Sequence, residues 1–277
     1  DHPFYYDNAF LILDRTALYV LETAGRRWTY KRYARASISN RLTIGTDGDA
    51  YAGGKPYDFR RTHTDPLYTT FSGSAGRLRS TRRSLETAAA PLDLVRALRA
   101  HEDGTANPAA AGSVKSVCMH YGGPVGDHTT ASMVVSLERD RITAFLTGGS
   151  TPCLSLFKPV LFGGEQSGLV FAGGDPAAMA EWLRRERAVR AFLGRRVPPE
   201  FFAARDELEA GWFAEAARTP AAAMPAFTQR CLAQEAAFLA HWRPEAFAQA
   251  PLPRASARRW ARKTAVLGGG RPPWPQG

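Results

Sequence analysis

Cysteine is scarce in this sequence, with three residues among 277, at positions 118, 153 and 231. So few cysteines exclude the disulfide framework on which small secreted domains depend, and an odd count favours reduced thiols in a cytoplasmic protein. Long hydrophobic runs are also missing, because no apolar stretch reaches the roughly 18 residues that a membrane-spanning helix needs. We therefore expect a cytoplasmic protein that does not span a membrane.

Lysine is scarce as well, since only 5 of the 36 basic residues are lysines and the net charge of +10 comes from arginine. Six basic residues lie in the last 27 positions, which contain no Asp or Glu. The remaining arginines are scattered or stand at helical spacing beside glutamates, which is typical of a solvated surface. Positive charge without a recognition motif is weak evidence for nucleic-acid binding, so we expect no specific nucleic-acid partner.

The common catalytic motifs are absent from the sequence. It contains no G-x-S-x-G nucleophile elbow, no phosphate-binding P-loop, no H-E-x-x-H helix and no C-x-x-C pair. The composition is nevertheless that of a folded protein, with 44% hydrophobic and 22% charged residues. Any activity must therefore reside in a less common arrangement, and we expect no metal ion and no other cofactor.

Strand patterns dominate the first part of the chain, where short apolar or alternating runs are separated by turn residues. The predicted strands are 10–13, 18–21, 28–33, 37–44, 132–137 and 142–146. The first two flank a short polar turn, and the last two flank another, so each pair predicts a β-hairpin. Residues 46–66 are rich in Gly, Asp and Pro and are expected to be irregular.

After residue 174 the hydrophobic period lengthens to about 3.6 residues, which indicates helices. Asp175 followed by Pro176 is a helix start signal. The predicted helices are 93–102, 176–193, 201–212 and 227–242. Strands first and helices later predict an α+β domain over residues 1–250, strand-rich in 1–173 and helical in 174–250. The Pro- and Gly-rich residues 251–277 are expected to form a basic, disordered tail.

One region contains several residues whose side chains could act in catalysis or bind a metal ion. Cys118 and His120 are two positions apart on a predicted strand, so their side chains share a face and are compatible with a nucleophile and its base. With Asp127, His128 and Cys153 they are also compatible with a zinc site, although the spacing fits no closed structural zinc pattern. We favour a third interpretation, in which the cysteines are small buried hydrophobic residues.

Six short segments, which occur in the same order along the chain, resemble the secernin-type cysteine dipeptidases, a family of N-terminal-nucleophile hydrolases. The matching segments are 6–12, 20–28, 37–44, 117–120, 129–133 and 151–159. The resemblance as a whole extends over roughly residues 4–217, and six segments in register make a chance similarity improbable. The resemblance implies a four-layer α-β-β-α fold and the hydrolysis of small peptides or related C–N amide bonds.

The resemblance also implies a mechanism and site residues. In this family a cysteine at the mature N-terminus is the nucleophile, and its own α-amino group is the base. By position in the segment 37–44, Asn40 is the candidate for stabilising the tetrahedral oxyanion. A helper arginine is expected further along, and Arg77 is the best match, with Arg79 the second choice. The structural alternatives are a turn-capping role for Asn40 and a surface ion pair for either arginine.

The sequence departs from the family pattern at its beginning. It starts with Asp1, at a point that matches the interior of the family pattern, and its three cysteines lie far from that point. We therefore expect a fold that is incomplete at the N-terminus, with the nucleophile absent and the fragment itself inactive. Two alternatives remain open: a noncatalytic, secernin-like regulatory or interaction protein of the same fold, and a self-contained enzyme that uses Cys118.

Overall fold

A computed structural model describes residues 7–102, 105, 107–121, 126–138, 140–161 and 176–267. The chain divides into two compact units. The N-terminal unit consists of Asp1–Glu102 and Val114–Val117, and the C-terminal unit of Asp103–Ser113 and Cys118–Gly277. The predicted helix start at Asp175 lies outside the described residues.

A four-stranded antiparallel sheet forms the first half of the N-terminal unit. Its strands are β1 (Asn8–Leu13), β2 (Leu18–Ala24), β3 (Arg27–Tyr33) and β4 (Ala50–Tyr51), in the order β1-β2-β3-β4. Asp14 closes the β1–β2 hairpin, because its carboxylate accepts hydrogen bonds from the backbone N–H groups of Thr16 and Ala17. The first predicted hairpin and the predicted strand at 28–33 are confirmed.

Four helices follow in the N-terminal unit: α1 (Phe59–His63), α2 (Pro66–Phe71), α3 (Ser74–Thr87) and α4 (Pro91–Leu98). Only α4 was predicted, and its predicted range, 93–102, lies further towards the C-terminus than the observed helix. Asp93 accounts for the earlier start, since its carboxylate accepts hydrogen bonds from the N–H groups of Ala89 and Ala90. The residues 46–66, expected to be irregular, contain β4, all of α1 and the first residue of α2. The expected extended segment at 37–44 forms only an isolated bridge between Ser39 and Arg41.

The C-terminal unit combines a three-stranded antiparallel sheet with four helices in the described ranges. The strands are β5 (Met133–Leu137), β6 (Ile142–Leu146) and β7 (Lys158–Leu161), in the order β5-β6-β7. The helices are α5 (Pro176–Arg190), α6 (Pro199–Ala216), α7 (Met224–His241) and α8 (Arg254–Leu267). The second predicted hairpin and the three predicted late helices are confirmed, with shifted ends. None of the helices described is both long and apolar enough to cross a membrane.

Helix α8 corrects the expected disorder of residues 251–277 over most of that range; residues 268–277 lie outside the described part. Trp260 attaches α8 to the C-terminal unit, because its ring lies 4.7 Å from that of His128 and under the guanidinium of Arg190, at 5.2 Å. Arg259 lies 3.9 Å from the ring of Tyr121. These aromatic contacts offset the helix-disfavouring charge repulsion of this arginine-rich segment.

The described residues contain two antiparallel sheets and eight α-helices, so the α+β class is observed.

Candidate functional site

Asn40 lies at the apex of a three-residue turn in the N-terminal unit. The backbone N–H of Arg41 donates to the carbonyl of Ser39 at 2.6 Å, across Asn40. A turn closed by an i to i+2 hydrogen bond projects its central residue outward, and the Asn40 side chain is indeed exposed. The amide group therefore stands at a surface that a ligand can reach.

Glu22 anchors the chain just after this turn. Its carboxylate lies buried on β2 and accepts hydrogen bonds from the N–H and hydroxyl of Thr43, at 2.6 and 2.8 Å, and from the N–H of Ile44 at 3.0 Å. A buried carboxylate needs several donors to offset the loss of its hydration, and this segment provides three. Glu22 thus ties the Asn40 segment to the sheet.

Arg77 on α3 meets Asn40 from the other side. Its side chain is almost buried, with 8% of the residue exposed, and Nη2 donates to Oδ1 of Asn40 at 2.8 Å. Nη1 donates to the carbonyls of Ser72, at 2.6 Å, and Val114. Because a guanidinium has only donors, the amide oxygen of Asn40 must face it. The Nδ2 group of Asn40 is therefore directed away from Arg77 and keeps its own donors for another acceptor.

A glycine allows the close approach that positions Arg77. Gly73 precedes α3 with φ +67°, and a Cβ atom there would lie 2.6 Å from the carbonyl oxygen of Val114. This is the same carbonyl that accepts from Arg77. Only glycine combines a left-handed backbone with such a short distance to another backbone segment.

An arginine-rich pocket of about 250 Å³ lies along α3 and the segment that follows Asn40. Its lining residues are Arg41, Leu42, Thr43, Arg60, Ala75, Leu78, Arg79 and Arg82. Four of these eight residues are arginines and none is acidic. Guanidinium groups bind carboxylates through paired hydrogen bonds, so the pocket is suited to an anionic group of a ligand.

Of the three residues named from the sequence, Asn40 and Arg77 contact each other, whereas Arg79 does not join them. Asn40 and Arg77 share a hydrogen bond, and Arg79 is exposed in the wall of the pocket. Burial and carbonyl acceptors rule out a surface ion pair for Arg77. Sequence reasoning missed Glu22, although a glutamate in the apolar run of β2 was a visible signal. It also missed Arg60, because Arg60 lies far along the chain from both Asn40 and Arg77.

A second group of residues lies within the C-terminal unit, around Cys118. The Sγ atom of Cys118 lies 3.6 Å from Nε2 of His120, which lies 3.2 Å from Sγ of Cys153. These three residues are 0%, 4% and 4% exposed, and the two cysteines belong to an apolar core with Leu154 and Phe192. A substrate cannot reach Cys118 in such a core, so the interpretation of Cys118 as a nucleophile is wrong. Residues 118–120 also lie outside any strand.

The two other residues considered for a zinc site do not join this group. Asp127 is exposed, and its carboxylate accepts from the N–H of His128 at 2.9 Å. Both ring nitrogens of His128 are engaged, Nδ1 by the N–H of Tyr121 at 3.3 Å and Nε2 by the hydroxyl of Thr151 at 2.8 Å. Burial lowers the pKa of His128 to about 4, so its ring is neutral at pH 7.

No model of a protein family matches the sequence, and no solved structure gives a significant match.

Proposed function

We propose that this chain belongs to an amide hydrolase that cleaves small peptides or related C–N amide bonds, with Asn40 on the oxyanion side of the site. The observation that carries the proposal is the hydrogen bond from Nη2 of Arg77 to Oδ1 of Asn40. It orients the Asn40 amide so that Nδ2 can donate to a negatively charged oxygen. A donor held in place before the reaction stabilises the tetrahedral intermediate without reorganising in the transition state.

Arg77 is a positioning residue in this proposal. Its guanidinium contacts two backbone carbonyls and Asn40, which leaves it buried behind the amide and away from the substrate. A lysine would keep the charge at this position but lacks the planar, forked set of donors. The geometry of Asn40 therefore depends on the arginine itself.

The arginine-rich pocket supplies the substrate preference. A dipeptide has a free carboxylate close to its only amide bond, and Arg41 directly follows Asn40 in the chain. Carboxylate binding by Arg41, Arg60, Arg79 and Arg82 would place the adjacent carbonyl near the amide of Asn40. The pocket thus favours short peptides with a free C-terminus over amidated ones.

The resemblance to the secernin-type dipeptidases supplies the nucleophile. A cysteine with a free α-amino group attacks the carbonyl carbon, and its amine accepts the thiol proton and passes it to the leaving amine. Water then cleaves the thioester that results. Cys118, Cys153 and Cys231 lie inside the sequence and carry no free α-amino group, so none of them is the proposed nucleophile.

The test is hydrolysis of a dipeptide panel by the protein as isolated from its source, with the N-terminal residue read by mass spectrometry. We expect Asn40→Ala to lower kcat by about 10²–10³-fold with little change in KM. Arg77→Lys should lower kcat in the same direction, while Arg184→Lys, at an exposed ion pair with Glu181, should leave both constants unchanged. Dipeptide substrates with an amidated C-terminus should show a higher KM than those with a free carboxylate.

Unchanged kcat in the Asn40→Ala protein would contradict the assignment of Asn40. Failure of a folded protein with an N-terminal cysteine to cleave any peptide would contradict the hydrolase itself. That second result would favour the noncatalytic regulatory or interaction protein.

A further inference from the structure

We propose that Cys118, His120 and Cys153 bind a zinc ion inside the C-terminal unit. The sequence led us to expect no metal, because the spacing of these residues matches no closed zinc motif. Their donor atoms nevertheless lie within 4.8 Å of one another. The site shares no residue with the proposed hydrolase site, so either proposal can fail without the other.

The distances between the donor atoms are close to those that a tetrahedral zinc ion requires. Zinc lies about 2.3 Å from a thiolate sulfur and about 2.0–2.1 Å from an imidazole nitrogen. Tetrahedral angles then place sulfur and nitrogen about 3.6 Å apart. The observed distances from Nε2 of His120 are 3.6 Å to Cys118 and 3.2 Å to Cys153. An ion would therefore enter with small movements of side chains.

The backbone around the three donors is held by hydrogen bonds within the same unit. Met119, between two of the donors, exchanges two bonds with Thr129: its N–H donates to Oγ1 at 2.9 Å, and its carbonyl accepts from the N–H at 3.0 Å. The N–H of Thr151 then donates to the carbonyl of Thr129 at 3.0 Å. Thr129 thus links the segment of Cys118 and His120 to the segment that carries Cys153.

The turn before Cys153 is strained. Thr151 has φ +58°, the left-handed conformation that β-branched residues rarely adopt, and no other non-glycine residue in the described ranges has a positive φ. The carbonyl of Cys153 is held in turn by Nη1 of Arg205. Strain of this kind persists where the surrounding structure holds the chain in one conformation. Here that conformation keeps the sulfur of Cys153 beside His120.

Charge and donor type point to zinc among the divalent ions. Two thiolates and one imidazole are soft and borderline ligands, a set that zinc accepts and that calcium and magnesium do not. On binding, the two thiols release two protons, and the two thiolates balance the double charge of the ion. The buried group is then neutral overall, as its apolar surroundings require. The fourth position is left for a further donor.

The first test is metal analysis of the protein purified without chelators and under reducing conditions. We expect about one zinc ion per chain. After zinc removal, cobalt(II) alone should restore about one equivalent of binding, with sulfur-to-cobalt charge-transfer absorption and the visible bands of a tetrahedral ion. Cys118→Ser, Cys153→Ser and His120→Ala should each weaken cobalt binding by at least about 100-fold. Cys231→Ser should bind cobalt as the unmodified protein does.

A second measurement needs no variants, in case a substitution prevents folding. Zinc should protect Cys118 and Cys153 from alkylation in partly denaturing urea and should leave the labelling of Cys231 less affected. It should also raise Tm reversibly against a chelator. The proposal is overturned if the metal-free protein binds cobalt without thiolate absorption, if it binds no metal, or if mass spectrometry finds a Cys118–Cys153 disulfide in place of an ion.

Discussion

Asn40 illustrates how a single side chain obtains its orientation. Its amide could in principle present either the oxygen or the nitrogen to solvent, and the Nη2 donor of Arg77 selects the oxygen for itself. Arg77 is in turn held by the carbonyls of Ser72 and Val114, so the direction of an exposed amide depends on a buried guanidinium. The turn-capping role considered for Asn40 is not needed to explain its position.

Gly73→Ala tests the close approach behind this arrangement. We expect a loss of unfolding free energy well above the roughly 1–2 kcal/mol of a left-handed alanine, because the new Cβ would also lie 2.6 Å from a backbone oxygen. Gly25→Ala is the matched control, since Gly25 has φ +58° and nothing within 4 Å of its Cβ position. Urea unfolding of both variants measures the difference, and equal losses would contradict the prediction.

At the scale of secondary-structure elements, a buried ion network joins β7, α5 and α7 in the C-terminal unit. Glu235 of α7 accepts from Lys158 of β7 and, at 2.6 Å, from Nε of Arg185 on α5. Lys158 also donates to the carbonyls of Thr147, at 2.6 Å, and Leu156, at 2.7 Å. Burial lowers the pKa of Lys158 from its ordinary value, and the charge of Glu235 opposes that shift.

Glu235→Gln should destabilise the protein by about 3–5 kcal/mol, because it leaves two buried cations without their anion. The control is Glu181→Gln on α5, at an exposed pair with Arg184, which should change stability by less than about 1 kcal/mol. Chemical denaturation at pH 7 distinguishes the two. A loss for Glu235→Gln no greater than that of the control would show that the network contributes little.

At the scale of the whole molecule, global stability should depend on pH through Cys231. Burial raises the pKa of this thiol from 9.0 to about 12. The unfolded chain therefore loses the thiol proton first as the pH rises, which stabilises the unfolded state between these two values. From pH 7 to pH 10 this one group should lower the unfolding free energy by about 1.4 kcal/mol.

Cys231→Ala removes this contribution and keeps the other ionisable groups. The unfolding free energies of the protein and the variant, measured by urea denaturation from pH 7 to pH 10, should therefore fall with different slopes. The variant should be the less sensitive to pH. Parallel curves would show that Cys231 ionises equally easily in the folded and unfolded states.

Local patterns were sufficient for much of the fold. The hairpins β1–β2 and β5–β6 follow from alternating strands around polar turns, and α5, α6 and α7 follow from apolar residues at helical spacing. Helix α3 was missed because its arginine-rich sequence lacks a continuous apolar stripe. Helix α8 was missed because the contacts of Trp260 come from residues that are distant in the chain.

The sequence by itself determined the α+β class and the positions of most strands and late helices. Those results depend on neighbours in the chain, which a pattern can register. Asn40 and Arg77 were named only through the resemblance to a family, and their roles remain part of the proposal. Only the tertiary structure decided that Arg77 orients Asn40, that Glu22 anchors its segment, and that arginines from two helices line one pocket. It also decided that Cys118, His120 and Cys153 meet in one core. Each of these contacts joins residues far apart in sequence, and packing alone brings such residues together.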